Sequence, residues 1–574
     1  MEGDKITNIV NNGSLDGALV RAAIVICAVC LFATGAQALM IPLDDAALAA
    51  GADEIVRGTI TNVQSQWNVN KTEIVTTATV AVKSRVKGTG PDTFTLTVPG
   101  GTADGINQWV EDEPTLEEGT SAIIFVTHSA TRGTTIFGGN QGQVPIEEGT
   151  VVRSADGSSA AMTADAYERY LAALVAGESP ALPQSNVTVR AAAGTGPIIT
   201  SVSPESASAG TGMVITITGS GFGTKASRQS QADVIFSYKN VDTAGGGVSA
   251  IPIYASGSPY FTANEDDIVY PWTDTQIKVK VPVGKTEDGY GGGSASSGIV
   301  FVRTDAGALS WSHPFTVTFS YGKKVPWKKP IQFYFNPTPF APAIIGITNA
   351  ANTWNAAIPT SSVRFVYAGL EQTAGVAYDG KNTICFRPAS EFPSSGMHAE
   401  TTITSTVPGG QIIEADIKFN EGYSWQVGNT ASGTTYNVET IALHELGHVL
   451  GLNDLYGYYP TGPNDLGKAM FGMTEDSFGN MNQKTLDADD IAGARWLYPA
   501  SVVAAPGATG PPTDTNGDGI YDDVNGNTRG DFADVVMYFN QMSWIAANEP
   551  IAVFDCNHNT RIDFADVTWL FTHL

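Results

Sequence analysis

Hydrophobic and polar positions alternate in short runs through the first part of the chain. "EIVRGTITNVQSQW" (54–67), "VTTATVAVKSRV" (75–86), "DTFTLTV" (92–98) and "SAIIFVTHS" (121–129) each carry the period of two expected of half-buried β-strands. Turn clusters such as "PGGTADG" (99–105) separate them. The period lengthens to that of a helix over Thr163 to Val175, "TADAYERYLAALV", before a polar linker, "AGESPALPQSN". Residues 39–190 are therefore expected to form an all-β barrel or sandwich closed by one helix, and no chemistry-bearing cluster stands out there. From 322 to 499 the pattern is mixed. "KPIQFYFNP", "VRFVYA", "NTICFRP" and "IIEADIKFN" predict strands, while "IIGITNAANTWNAAI" and "NVETIALHELGHVLGL" predict helices. Asn437 suits the N-cap of the second helix and Gly451 its end. A Pro/Gly/Ala linker, "SVVAAPGATGPP", lies within 501–513, and 514–574 holds two short helical runs.

Between the first unit and the α+β unit lies "PIITSVSPESASAGTGMVITITGSGFG" (197–223). Its "SVSP" turn (Ser201–Pro204), "VITITG" strand (Val214–Gly219) and "GSGFG" turn (Gly219–Gly223) resemble the immunoglobulin-like IPT/TIG module. The resemblance implies an Ig-like β-sandwich over 197–320, acting as spacer or binding unit, and no catalysis.

The chemistry concentrates in "HELGHVLGLND" (444–454). On a helix, His444 and His448 stand four residues apart on one face and can share an ion, with Glu445 beside them to act on a water. Gly451 lets the chain turn sharply and return Asp454 towards the metal. A catalytic zinc takes three protein ligands and leaves one position open. Of the seven histidines, only His398 is otherwise in this unit, and it lies outside the motif. Asp454 is therefore expected as the third ligand; a carboxylate in place of an imidazole would make an activated water somewhat less acidic.

These residues resemble the metzincin signature H-E-x-x-H-x-x-G-x-x-H/D, with the aspartate of the snapalysin-like branch in the last place. The surroundings are similar to matrixins. "VPWKKPIQFYF" (325–335) resembles the first strand of that catalytic domain, "EADIKFN" (414–420) its upper strand region, and "LDADDIAGARWLYP" (486–499) its closing helix, with Asp487, Asp489 and Asp490 near the helix N-terminus. "GKAMFGM" (467–473) corresponds to the Met-turn, with Met470 favoured over Met473. The resemblance covers 322–499 and implies one catalytic zinc and peptide hydrolysis with Glu445 as general base. The chain departs from matrixins in its Asp454, in a longer segment between Asp454 and Met470, and in lacking the structural-zinc histidines. Residues 39–321 hold no cysteine, so a cysteine switch is excluded.

The tail repeats itself. "DVNGNTRGDFADVV" (523–536) matches "DCNHNTRIDFADVT" (555–568) at an offset of 32. Oxygen donors recur at the positions of a calcium loop. The first loop offers Asp523, Asn525, Asn527, Asp531 and Asp534, with the backbone carbonyl of Arg529. The second offers Asp555, Asn557, Asn559, Asp563 and Asp566, with that of Arg561. Thr528 and Thr560 replace the glycine usual at position 6, and "DTNGDGIYDD" (514–523) overlaps the first loop as a further candidate. The pair resembles a type I dockerin, a small α EF-hand-like module. That implies two Ca2+ ions and a cohesin-type partner, with Phe532–Ala533 and Phe564–Ala565 on the docking face. A tail that clamps its own protein is the alternative.

Composition adds the setting. The net charge of -26 argues against a nucleic-acid partner, since no basic surface stands out to neutralise phosphates. Residues 1–38 read as a signal peptide: Arg21, the apolar run "AAIVICAVCLFATG", and the small-x-small site Ala36–Ala38. An uncleaved anchor is the alternative, but the run is short for a span of about 20 residues. Cys27 and Cys30 leave with it; Cys385 and Cys556 lie in different units, so no disulfide scaffold is expected. The expectation is a secreted zinc endopeptidase, extracellular or held at the cell surface, with a calcium-dependent docking tail and no membrane span in the mature chain. Its rival is a non-catalytic scaffold on a retired metzincin fold. Residues 39–190 are left as either a pro-domain over the cleft or a spacer.

Overall fold

The computed structural model describes residues 43–574 apart from short stretches, the longest being 184–195, 238–259, 284–293 and 473–483. The signal peptide, Cys27, Cys30, Met473 and Thr560 lie outside the described residues. The molecule is multidomain and strand-rich, with seven α-helices among the described residues.

The first unit is built on one six-stranded antiparallel sheet, with a separate two-stranded hairpin of Thr150–Ala155 and Ser158–Thr163. The sheet's strand order is 93–99, 74–87, 54–67, 121–129, 133–136, with Gln143–Pro145 paired beside Ser121–Ser129. The long strand Glu54–Trp67 carries three register irregularities against Ile74–Lys87, at Ile55/Val56, Arg57/Gly58 and Thr61/Gln64. Such bulges add twist and bend, and the sheet curls until its edge strands Thr93–Pro99 and Gly133–Ile136 approach each other. The concave face buries Val56, Ile60, Val80, Leu96 and Ile124. The convex face packs Ile55, Ile123 and Phe125 under Leu48, Tyr167 and Leu171 of helices Asp45–Gly51 and Ala164–Val175. Thr163 caps the latter helix, accepting from Ala166 N.

The second unit is an Ig-like sandwich. A four-stranded sheet, 198–203, 214–220, 276–280 and 268–269, faces a five-stranded one, 206–209, 313–320, 298–303, 233–237 and 260–262. Ile215, Ile217, Val234, Val300, Phe315 and Val317 fill the space between them.

In the third unit, strands Phe365–Leu370, Ile331–Phe335, Asn382–Arg387 and Ile412–Asn420 run parallel in that spatial order, and Ala399–Thr406 pairs antiparallel at the far side. Helices Ala343–Ala357 and Val438–Leu450 share a core with this sheet around Trp354, Phe419 and Leu446. The sheet does not end at its own last strand. Ile106–Val110 pairs antiparallel with Ala399–Thr406, and Gly101–Ala103 pairs with Ile106–Val110. This corrects the reading of "PGGTADG" as a plain connecting turn within the first unit: that region forms a hairpin inserted into the third. The pattern was misleading because Asn107 and Gln108 break the apolar alternation, yet both are buried at the junction.

The tail packs helices Phe532–Asn548 and Phe564–His573 around Val524, Val535, Tyr538, Phe554 and Leu570. Cys385 and Cys556 are both buried, and no disulfide joins them. Burial pushes the Cys385 thiol up to about 12. Among the described residues no helix is long and apolar enough to cross a membrane.

Candidate metal centre

The histidine helix starts where Asn437 Oδ1 accepts from Glu439 N (2.9 Å). It stops at Gly451, whose φ of 109° is left-handed, as a C-terminal glycine permits. Two indoles fix its depth: Trp354 Nε1 donates to Leu443 O (2.7 Å) and Trp327 Nε1 to Val449 O (2.8 Å). Every residue from Ile441 to Leu450 is buried.

Both imidazoles are oriented by backbone carbonyls. His444 Nδ1 lies 2.7 Å from Ala469 O and His448 Nδ1 2.9 Å from Leu452 O. A carbonyl only accepts, so each Nδ1 carries a proton and each Nε2 is the ring atom left for a metal. The two Nε2 atoms are 3.0 Å apart. Asp454 Oδ1 is 3.0 Å from His444 Nε2 and 3.5 Å from His448 Nε2, and has no hydrogen-bond donor. Tyr456 Oη donates to the other oxygen at 3.0 Å. Ligands about 2.0–2.1 Å from a tetrahedral zinc would be separated by roughly 3.3 Å. Facing Nε2 atoms, an unsatisfied carboxylate oxygen and these separations fit that ion.

A fourth group completes the cluster. Glu111, His444, His448 and Asp454 each place a ligand atom within 4.8 Å of the others. Glu111 Oε1 is 3.4 Å from His448 Nε2 and 3.9 Å from His444 Nε2. Nothing in the spacing around "QWVEDEP" signals this role; it arises only from the pairing of Ile106–Val110 with the third unit's sheet.

Glu445 is fully buried. Its Oε2 accepts from Thr401 Oγ1 (2.5 Å), while Oε1 has no partner. Burial, reinforced by the neighbouring Glu111 carboxylate, holds its carboxyl well above the usual range. Burial alone would depress His448, but the Glu111 and Asp454 charges outweigh it and raise the imidazole. Burial likewise opposes ionisation of Asp454, and the two histidines outweigh it, so that carboxyl stays below its ordinary value.

Met470 lies beneath the helix. A Cβ placed on Gly447 would come 2.1 Å from its Sδ. Asp490 holds this turn, accepting from Ala469 N (2.7 Å) and Met470 N (3.2 Å). The Ig-like unit braces the Asp454 segment: Ser294 Oγ donates to Asp454 O (3.2 Å) and Ser296 Oγ accepts from Tyr456 N (3.0 Å). His398 stands apart from the cluster, packed at a tilt between Tyr423 and Tyr436 with ring centroids 4.2 Å away in each case.

The two tail loops repeat one hydrogen-bond pattern. Asp523 Oδ1 accepts from Asn527 N and Asp555 Oδ1 from Asn559 N, both at 2.9 Å. Asn527 and Asn559 accept from Arg529 N and Arg561 N. Asp534 and Asp566 accept from Asn525 N and Asn557 N, and Asp531 and Asp563 cap the following helices. Thr528 takes a φ of 71°, the left-handed conformation for which position 6 normally uses glycine.

The matrixin family model matches residues 387–499 and the IPT/TIG domain model residues 197–321. Among solved structures, one described as "Structure of Myroilysin" aligns at 14% identity and a TM-score of 0.18, covering 31% of this chain and 83% of that one. No curated protein sequence matches the chain. The chain thus contains a matrixin domain and an Ig-like IPT/TIG domain, and the former points to a zinc metallopeptidase.

Proposed function

We propose that the chain is a secreted zinc endopeptidase in which His444, His448 and Asp454 hold the metal and Glu445 is the general base. The observation that carries this is the convergence of two Nε2 atoms, on rings held at Nδ1 by backbone carbonyls, with an Asp454 oxygen that has no hydrogen-bond donor, beside a buried glutamate. A zinc ion there would supply Lewis acidity, activating a water and polarising the scissile carbonyl. Glu445 takes the proton of the attacking water and returns it to the leaving amine. Thr401 orients the carboxylate through one oxygen and leaves the other for the water. His444 and His448 keep their Nε2 lone pairs on the metal side because carbonyls hold their Nδ1 protons. Met470 supports the helix from below, and Gly451 returns the chain to bring Asp454 into place.

The tail is proposed as a dockerin-like module binding two Ca2+ ions through Asp523, Asn525, Asn527, Arg529, Asp531 and Asp534 and their counterparts Asp555, Asn557, Asn559, Arg561, Asp563 and Asp566. Its partner is a cohesin-type module. Phe532 lies 5.9 Å from Phe571, and Phe539 lies 5.9 Å from Phe564, all four exposed. These pairs are related by the same repeat, which supports docking in either of two poses.

The test is cleavage of a labelled unfolded protein by the full chain, before and after limited proteolysis, beside its Glu445→Ala twin. Cleavage confined to the parent, with one zinc retained by both, is expected. Equal cleavage by the twin would overturn the assignment. Asp454→Ala should lose zinc to a chelator about 10-fold or more readily; unchanged retention would remove Asp454 from the ligand set. Calcium chelation should lower the melting temperature of the parent, and of an Asp523→Ala, Asp555→Ala variant much less.

A further inference from the structure

The peptidase sheet's own last strand, Ala399–Thr406, is the one running beside the histidine helix; its Thr401 touches Glu445. An extended peptide reaching the metal would add to that edge, because an unpaired strand is a template for strand addition. The edge is already taken. Ile106–Val110 pairs with it antiparallel, with Val110 opposite Thr402, Trp109 opposite Ile403 and Gln108 opposite Thr404. The ladder continues through Glu111, whose N–H donates to Thr401 O (3.1 Å) and whose Oε2 accepts from Thr401 N (3.0 Å). The other oxygen, Oε1, faces His448 and His444. Trp109 lies edge-on to the His448 ring at 5.7 Å.

The insertion is anchored on both sides. Gln108 Oε1 accepts from Ile74 N (2.6 Å) and Gln108 Nε2 donates to Thr404 Oγ1 (3.3 Å). Trp67 stacks on Tyr378 at 5.2 Å, Tyr378 N donates to Thr72 O, and Gly138 N donates to Pro393 O. The first unit thus grips the third along a broad front, with the hairpin at its centre.

Resting on the peptidase reading, we infer that residues 39–190 form an inhibitory pro-segment in which Ile106–Val110 fills the substrate-strand position and Glu111 supplies the fourth zinc ligand, where the attacking water would sit. A carboxylate donor does here, without any thiol, what a metal-directed inhibitor does. Release requires the hairpin to leave the edge, which limited proteolysis of the first unit would achieve.

The experiment uses the full zinc-loaded chain, with Glu111→Gln and Glu111→Ala variants. Metal content is measured first, then calorimetric binding of acetohydroxamate, a small zinc chelator that enters the fourth position without displacing a peptide strand. A tethered competitor raises the apparent Kd, so the variants should bind acetohydroxamate about 10-fold or more tightly than the parent at equal zinc content. Glu111→Gln preserves the acceptor for Thr401 N and therefore decides the matter if the alanine variant fails to fold. One zinc per chain with equal hydroxamate binding in all three overturns this inference alone. A parent chain that takes up no zinc overturns the peptidase reading and this one with it.

Discussion

Gly447 sits between the two histidines, and the volume it vacates is occupied. A Cβ there would meet Met470 Sδ at 2.1 Å and Trp354 Cζ2 at 3.0 Å. Alanine is otherwise the better helix former, so propensity and packing oppose each other at this residue. Packing should win, since overfilling a close-packed interior costs about 1–3 kcal/mol against a propensity gain of about 1 kcal/mol. Gly447→Ala should therefore destabilise the peptidase unit to chemical denaturation. It should also weaken zinc retention, because a displaced Met470 drags Ala469, whose carbonyl orients His444. A variant more stable than the parent would show that the methionine yields freely.

Elements are tied to this turn by Asp490, the third residue of helix Ala488–Leu497. Its carboxylate closes the capping box with Asp487 and accepts from Ala469 and Met470. Burial raises it to about 6 from an ordinary 3.8, against the pull of those N–H donors. The folded state then binds more protons than the unfolded one between pH 3.8 and about 6, so this group's contribution to stability falls as pH rises through that window. Asp490→Asn should lack that slope. The parent should lose about 2 kcal/mol relative to the variant from pH 4 to pH 6.5, measured by urea unfolding; parallel curves would refute the assignment. The helix cap itself was readable, because Asp487, Asp489 and Asp490 precede an apolar helical run. So were the histidine helix and its glycine stop, where local rules and tertiary structure agree. The inserted hairpin was not, since Asn107, Gln108 and Glu111 are polar residues buried by a partner almost 300 positions away. Local periodicity carries no record of such pairing.

At the scale of the molecule, the candidate metal centre is held from two flanks: the hairpin on one side and the Ig-like unit on the other. The second flank hinges on Lys468. Its ammonium is buried, ion-paired with Asp465 (3.0 Å) and Asp489 (2.9 Å), and donates to Val317 O and Thr318 O of the Ig-like unit. Asp465 in turn accepts from Ser297 N and Gly457 N, closing a path from the sandwich to the segment that follows Asp454. Removing the cation strands a fully buried Asp465 carboxylate, and breaking a buried pair on one side costs about 3–5 kcal/mol. Lys468→Met should thus lower the calorimetric melting temperature and loosen zinc, through Asp454, with no ligand altered. Lys381→Met, which removes a partly exposed surface pair with Glu371 remote from Asp454, is the control and should change both far less. If Lys468→Met lowers stability but leaves zinc retention intact, the Ig-like unit supports the fold without positioning Asp454. If both fall together, that unit is part of how the metal centre is built.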